Sequence, residues 1–151
     1  FSQTGKSILE IGCAHYPALA FCYGYNDSFI IEPMESTILA NLIDGKNISL
    51  IKKPAEEIDF PIVDEVWFLN LLQHVINPSV IIEKAKKTSN VIRFFEPINC
   101  PIDVGHLHIF DLEFFISHFG KDVVQHYKTN PYAVSFHENE CAYGVWRKIK
   151  C

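Results

Sequence analysis

Short, almost uninterrupted runs of apolar residues recur along this chain, and stretches with helical spacing separate most of them. Strands that are joined through helices pair in parallel, and a parallel sheet is covered on both faces, so its strands are apolar without strict alternation. This repeated pattern limits the fold more than any single motif does, because it implies an α/β sheet. The predicted strands are residues 7–11, 28–31, 48–51, 65–69 and 90–95.

Helix signals lie in the gaps between these strands. Ser36 is a favourable N-cap residue, Pro17 occupies a permitted first-turn position, and Gly120 closes a segment whose apolar residues share one helical face. Lysines gather at the C-terminal end of another segment, where they suit the helix dipole. The predicted helices are residues 17–23, 36–43, 78–87 and 111–119.

The end of the chain follows a different pattern. Two strand-like runs, 123–128 and 143–149, are joined by a polar stretch without helical spacing, so we expect an antiparallel hairpin at one edge of the sheet. With right-handed crossovers elsewhere, the sequence predicts a doubly wound, mostly parallel, three-layer α/β sandwich. We expect residues 1–151 to form one such domain, and a ligand to bind beyond the C-terminal ends of its strands.

The composition excludes several classes of function. The 151 residues carry a net charge of −5, which disfavours nucleic-acid binding driven by phosphate neutralisation. No apolar run is long enough to predict a membrane span. Five cysteines without a C-x-x-C pair predict reduced thiols, and hence a cytoplasmic location, more readily than a disulfide framework.

Small and acidic residues follow the predicted strands, where a ligand would bind. Gly12, after the first strand, allows a ligand to approach the backbone closely, and Glu32, after the second, can accept two hydrogen bonds from ribose hydroxyls. Glu10 places a carboxylate inside an apolar strand, where a buried charge needs hydrogen-bond donors or an opposite charge as partners. Taken alone, Gly12 also fits a tight turn and Glu32 a solvated acid.

Four segments in series resemble a class I S-adenosylmethionine-dependent methyltransferase. They are ILEIGCAHYPALA, FIIEPME, PAEEIDFPIVDEVWFLNLLQHVINP and HLHIFDLEFFISHFG, and the resemblance runs from about residue 8 to residue 149. The chain is most similar to small-molecule methyltransferases of the UbiE-like type. The resemblance implies a Rossmann-like fold, S-adenosylmethionine as cofactor, and transfer of its methyl group to an acceptor. The acidic net charge favours a small molecule, a sugar or a lipid precursor over RNA as that acceptor.

The resemblance also assigns individual residues to parts of the cofactor. The matched residues are Glu10, Gly12, Cys13 and Ala14 for the methionine part, Glu32 and Pro33 for the ribose, Ala55 and Glu56 for the adenine, and Asn70 and Leu71 beside the methyl donor. The sequence departs from the family pattern at Ala14 and Tyr16, where the family prefers glycine. Relatives commonly carry helices ahead of the first strand that cover the acceptor, and this sequence shows none. We expect either an open acceptor site or one that a partner chain or a missing N-terminal segment completes.

His106 and His108 are the candidate catalytic residues. They follow the fifth predicted strand, from which acceptors approach in this architecture, and either can act as a general base near neutral pH. Either can equally cap the next helix or face water. Their spacing to Glu113 and Gly120 imitates a metal motif of cupin barrels, but residues 111–116 have helical spacing, so we predict no metal site.

Other polar residues receive structural interpretations. His74 lies in an apolar run and is interpreted as a packed or hydrogen-bonded structural residue beside the site, not as a base. The lysines at 84, 86 and 87 are interpreted as a solvated helix end.

Two alternative functions remain open at this stage. A nicotinamide-dependent oxidoreductase would share the ribose-binding acid, but the chain has no G-x-G-x-x-G motif and ends in two strands without a helix between them. A methyltransferase-like binding or scaffold domain without chemistry is favoured by Ala14, Tyr16 and the lack of helices ahead of the first strand. Binding of the cofactor itself separates these alternatives.

Overall fold

The computed structural model describes residues 2–128 and 140–149, and the strands within them form one seven-stranded sheet. The order across the sheet is β3-β2-β1-β4-β5-β7-β6. The first five strands pair in parallel, whereas β7 pairs antiparallel with both β5 and β6, as predicted. The strands are β1 (Ile8–Ile11), β2 (Ser28–Ile31), β3 (Ile48–Ile51), β4 (Glu65–Leu69), β5 (Val91–Pro97), β6 (Gln125–Lys128) and β7 (Glu140–Arg147).

Three helices lie in the described part of the chain: α1 (Thr37–Ile43), α2 (Pro78–Thr88) and α3 (Leu112–Phe119). Each helix is capped by the residue before it. The side-chain oxygen of this residue accepts a hydrogen bond from the backbone N–H three residues further on, and the three capping residues are Ser36, Asn77 and Asp111. The helix predictions for 36–43, 78–87 and 111–119 are therefore confirmed. None of the described helices has the length and hydropathy that a bilayer span requires.

Two apolar cores cover the two faces of the sheet. The larger core joins β1, β4, β5 and β7 to α2 and α3, and includes Phe94 stacked 4.4 Å from Phe119 between ring centroids. The smaller core packs Leu39 of α1 on Ile8, Ile30 and Trp67 of the opposite face. The connections therefore change faces between β1 and β4, and this three-layer arrangement confirms the predicted fold class. Such a change opens a crevice at the carboxyl ends of these strands.

The helix predicted over 17–23 is instead a single 3₁₀ turn, Ala18–Phe21. The buried carboxylate of Glu10 accepts hydrogen bonds from the first two N–H groups of this turn. Two residues after the turn, the carbonyl of Tyr23 accepts a hydrogen bond from the Gln3 backbone N–H at 2.8 Å. Hydrogen bonds to other parts of the chain thus hold the segment on both sides of the turn, and the stretch between them is too short for a longer helix.

The last predicted strands are displaced along the chain. β5 continues two residues beyond the predicted end at residue 95, because Glu96 and Pro97 pair with Ala142 and Cys141 of β7. β7 accordingly begins at Glu140, three residues before the predicted run 143–149. The extension places the Glu96 side chain inside the larger core, where it is completely buried.

Candidate active site

A cavity of about 540 Å³ lies at the carboxyl ends of β1, β2, β3 and β4. This volume lies within the range that small-molecule and cofactor sites occupy. Loops after all four strands contribute to its wall. Nine of the ten residues matched to the cofactor line it: Gly12, Cys13, Ala14, Glu32, Pro33, Ala55, Glu56, Asn70 and Leu71.

Gly12 brings two of these loops into close contact. Its φ of +69° is a left-handed conformation that favours glycine. A Cβ at this position would overlap Cδ1 of Leu71, on the loop after β4. The glycine therefore does more than terminate a strand, since it allows the walls of the cavity to meet at its base.

Glu32 is the buried acid of the cavity, with 4% of its surface exposed. Its Oε2 accepts a hydrogen bond from the Ala14 backbone N–H at 2.7 Å, and its Oε1 accepts one from the Met34 N–H at 3.0 Å. A carboxylate has about four acceptor positions, so two remain for a ligand. The acid thus holds the β1 loop while keeping acceptor capacity for neighbouring hydroxyls.

Glu10 is the one matched residue that does not line the cavity. Its oxygens accept hydrogen bonds from Ala18 N and Leu19 N at 2.8 and 2.7 Å, and burial raises its pKa to about 7. Its position supports the β1 loop from behind. Burial, together with the charges of Glu10 and Glu32, also raises the pKa of Cys13 to about 12, so this cavity-lining thiol stays protonated.

The two departures from the family pattern have different structural outcomes. The Tyr16 side chain is 66% exposed and is not part of the cavity wall. Ala14 lines the cavity and has a φ of +49°, in the left-handed region. The backbone therefore retains the glycine-type conformation at a position that carries a methyl group.

We expect Ala14→Gly to raise the free energy of unfolding by about 0.5–1 kcal/mol. Glycine removes the steric cost of the left-handed conformation, and its larger unfolded-state entropy offsets part of the gain. Urea unfolding measures the change. Ala40→Gly is the matched control, because Ala40 lies exposed within α1 and its replacement should lower the same free energy by about 1 kcal/mol. Equal losses in both variants would contradict the assignment of strain to Ala14.

Glu96 is a site residue that the sequence analysis missed. Its carboxylate accepts hydrogen bonds from Leu71 N and Leu72 N at 3.0 Å, which fixes the loop after β4 from beneath. Burial raises its pKa to about 8. A signal existed in the sequence, because Glu96-Pro97 repeats the apolar-run–Glu–Pro pattern of Glu32-Pro33.

The histidines lie at the rim of the cavity. His74 lines it, and its Nδ1 donates to the Gly105 carbonyl at 2.6 Å, so the loop after β5 is anchored on the cavity wall. The His106 ring lies 5.0 Å from the His74 ring between centroids, outside the wall itself. His108 Nε2 donates to the Val75 carbonyl at 2.8 Å. His106 thus lies close to the cavity, because its ring contacts that of His74, which lines the cavity wall. His108 lies on the outer side of the same rim.

Glu113 lies on α3, in agreement with the helical spacing of its segment. Among the described residues, no group of three histidine, cysteine or acidic side chains is arranged to hold a metal ion.

No family model and no curated protein matches this sequence. Solved structures, in contrast, match its fold. The N-methyltransferase NodS from Bradyrhizobium japonicum WM9, in complex with S-adenosyl-L-homocysteine, has a TM-score of 0.67 and 14% identity, over 97% of this chain and 80% of that one. The 1,6-didemethyltoxoflavin-N1-methyltransferase of Burkholderia thailandensis, with bound 1,6-didemethyltoxoflavin and S-adenosylhomocysteine, has a TM-score of 0.66 and 13% identity, over 97% of this chain and 72% of that one.

A third similar structure is the cyclase SpnF, with a TM-score of 0.73 and 12% identity, over 96% of this chain and 76% of that one. These likenesses show that the chain has the class I methyltransferase fold, as the resemblance in its sequence implied. The UbiE-like subtype stays a prediction. Since one of the three is named as a cyclase, the fold by itself does not determine the reaction.

Proposed function

We propose that this protein is an S-adenosylmethionine-dependent methyltransferase that acts on a small-molecule acceptor. The observation that carries the proposal is the cavity at the face change of the sheet, which nine residues matched to the cofactor line together. NodS and the toxoflavin methyltransferase, which share the fold, are crystallised with S-adenosylhomocysteine, and this supports the same cofactor here.

The residues present fit such a cofactor. Gly12 allows close approach of the backbone, and buried Glu32 keeps acceptor positions for the two ribose hydroxyls. The apolar walls suit the adenine and the methionine chain. We assign the Gly12–Ala14 loop to the methionine part, Glu32 and Pro33 to the ribose, Ala55 and Glu56 to the adenine, and Asn70 and Leu71 to the methyl-donor end, with Glu10 supporting the loop from behind.

When bound, S-adenosylmethionine supplies a methyl group on a positively charged sulfur, which is already an activated electrophile. The protein therefore has to align the acceptor, exclude water and take up a proton where the acceptor atom carries one. We assign the uptake of this proton to His106, which lies beside His74 at the rim. We assign His108 to a second contact with the methyl acceptor. The protonated thiol of Cys13 does not compete as a nucleophile, because its pKa is raised to about 12.

The acceptor proposed here is a small molecule, a sugar or a lipid precursor. The net charge of −5 disfavours a nucleic-acid acceptor. A cytoplasmic location stays a prediction from the cysteine content.

Calorimetric titration with S-adenosylmethionine, S-adenosylhomocysteine and NADH tests the proposed function. We expect micromolar dissociation constants for the first two ligands and no heat of binding for NADH. Binding of NADH alone would favour the oxidoreductase, and binding of none of them would refute the assignment of the cavity to a nucleotide cofactor.

We expect Glu32→Ala to weaken the binding of S-adenosylmethionine at least tenfold, because a carboxylate hydrogen bond to a ligand hydroxyl contributes about 1.5–3 kcal/mol. Glu35→Ala is the matched control. Its carboxylate is 88% exposed, does not line the cavity and contacts only Lys52 among the described partners. Calorimetry on both variants separates the ribose contact from a general loss of negative charge, and equal affinities would contradict the role of Glu32.

A second candidate is a domain that binds the cofactor and acts with a partner chain. Four exposed apolar side chains beside the rim favour this candidate, because large exposed apolar patches mark interaction sites. They are Ile76, Ile102, Val104 and Leu107, with 78%, 63%, 104% and 46% of their surface exposed. This candidate predicts binding of S-adenosylmethionine without its consumption in an acceptor screen. Release of S-adenosylhomocysteine with any acceptor would exclude it.

A further inference from the structure

Lys84 of α2 is not the solvated lysine that its sequence context predicts. It is half-buried, and its ammonium group donates hydrogen bonds to three backbone carbonyls, those of Ala55, Glu56 and Ile58, at 3.1, 2.7 and 2.9 Å. An ammonium group has three N–H donors, so these carbonyls use all of them. The same group lies 5.5 Å from the centroid of the buried Phe60 ring.

The segment that Lys84 holds is the 3₁₀ turn Ala55–Glu57, which follows β3 and forms one wall of the cavity. A turn of three residues has little internal hydrogen bonding to determine its position. A backbone hydrogen bond runs from Glu57 N to the Pro54 carbonyl at the start of the turn, at 3.1 Å. The carbonyls at its C-terminal end therefore depend on a donor from outside, and α2 provides it.

The side chain of Glu56 connects this turn to the opposite wall of the cavity. Its Oε1 accepts a hydrogen bond from the Ile76 backbone N–H at 2.8 Å, on the loop after β4. Glu56 and Ile76 both line the cavity. A continuous set of contacts thus runs from Lys84 through the turn to Glu56 and across to Ile76.

We propose that Lys84 is a positioning residue of the cofactor site. By fixing the three carbonyls, it sets the place of Ala55 and of Glu56, and thereby the separation of the walls after β3 and β4. This inference rests on the proposed function for the identity of the ligand, but the contacts that carry it belong to the protein alone.

Replacement of Lys84 by methionine tests the proposal, because it keeps the apolar stem and removes the three donors. We expect the dissociation constant for S-adenosylmethionine to rise about tenfold, since small displacements of a binding wall have large effects. Lys87→Met is the matched control, because Lys87 is exposed on the same helix and is not part of the cavity wall, and it should bind within twofold of the unmodified protein. Lys84→Arg, which retains donors and charge, should recover most of the affinity.

A double-mutant cycle distinguishes positioning from general weakening. If Lys84 acts through the turn, its replacement should weaken binding much less when Glu56→Ala is already present. Purely additive effects would contradict a route through Glu56.

Hydrogen exchange gives a measurement that needs no ligand. We expect faster exchange in peptides covering residues 55–60 and at the Ile76 amide in Lys84→Met, and no change in Lys87→Met.

Failure of the unmodified protein to bind S-adenosylmethionine would refute the proposed function, and the exchange rates alone would then decide the inference. Unchanged exchange and affinity in Lys84→Met would overturn it. If Lys84→Met does not fold, Lys84→Gln takes its place with the same criteria.

Discussion

Gly12→Ala should abolish binding of S-adenosylmethionine and lower the free energy of unfolding by about 3 kcal/mol. Two costs combine at this position: an alanine is strained at a φ of +69°, and its Cβ overlaps the side chain of Leu71. The Leu71 side chain has little room to move aside, because it is buried in the larger core, and its backbone is fixed by the hydrogen bond from its N–H to Glu96. Urea unfolding and calorimetric titration of the variant measure the two effects.

Gly45→Ala separates the two costs. Gly45 has a similar φ of +67°, but no atom lies within 4 Å of where its Cβ would be. We expect this control to lose only about 1 kcal/mol and to bind the cofactor normally. Equal losses in the two variants would show that the contact with Leu71 has no energetic importance.

Stability should fall as the pH rises from 5 to 8, by roughly 3 kcal/mol from Glu96. Burial raises the pKa of this carboxyl to about 8, whereas the unfolded chain releases the proton near 4.5. Between these values the folded state binds more protons than the unfolded state, so a higher pH favours unfolding. Glu10, whose pKa burial raises to about 7, contributes with the same sign.

Glu96→Gln should remove a large part of this pH dependence, because the amide cannot ionise. Glu57→Gln is the control, since Glu57 is exposed and its replacement should leave the slope unchanged. Urea unfolding at several pH values between 5 and 8 provides the measurement. Equal slopes in the unmodified protein and in Glu96→Gln would show that Glu96 is ionised in the folded protein over this interval.

The parallel part of the sheet was predictable because its strands are mostly apolar on both sides. β2, β3 and β4 lie where their apolar runs predict them, and the caps Ser36 and Asp111 mark helices that the structure contains. The residues after the strands were predictable for a related reason: parallel strands bring their carboxyl ends to one edge. That geometry places Gly12 and Glu32 in one cavity.

The remaining features depend on contacts between distant parts of the chain. The segment 17–23 has a helical pattern, but Glu10 and the pairing of Gln3 with Tyr23 limit it to one turn. Lys84 has the sequence context of a surface lysine, and only the turn 29 residues earlier gives it three acceptors. Glu96 lay outside the predicted strand because its pairing with β7 across the sheet cannot be inferred from local pattern.

The strand order has a consequence for how the chain is made. β1 lies in the interior of the sheet between β2 and β4, yet β4 ends only at residue 69, and β5 meets β7 only after residue 140. A chain growing from its N-terminus therefore exposes the unpaired edge of β1, in which three of the four residues are apolar, until β4 has emerged from the ribosome. Open edges of this kind promote association between chains. We accordingly expect nascent chains that stop between β3 and β4 to be the species that most requires a chaperone.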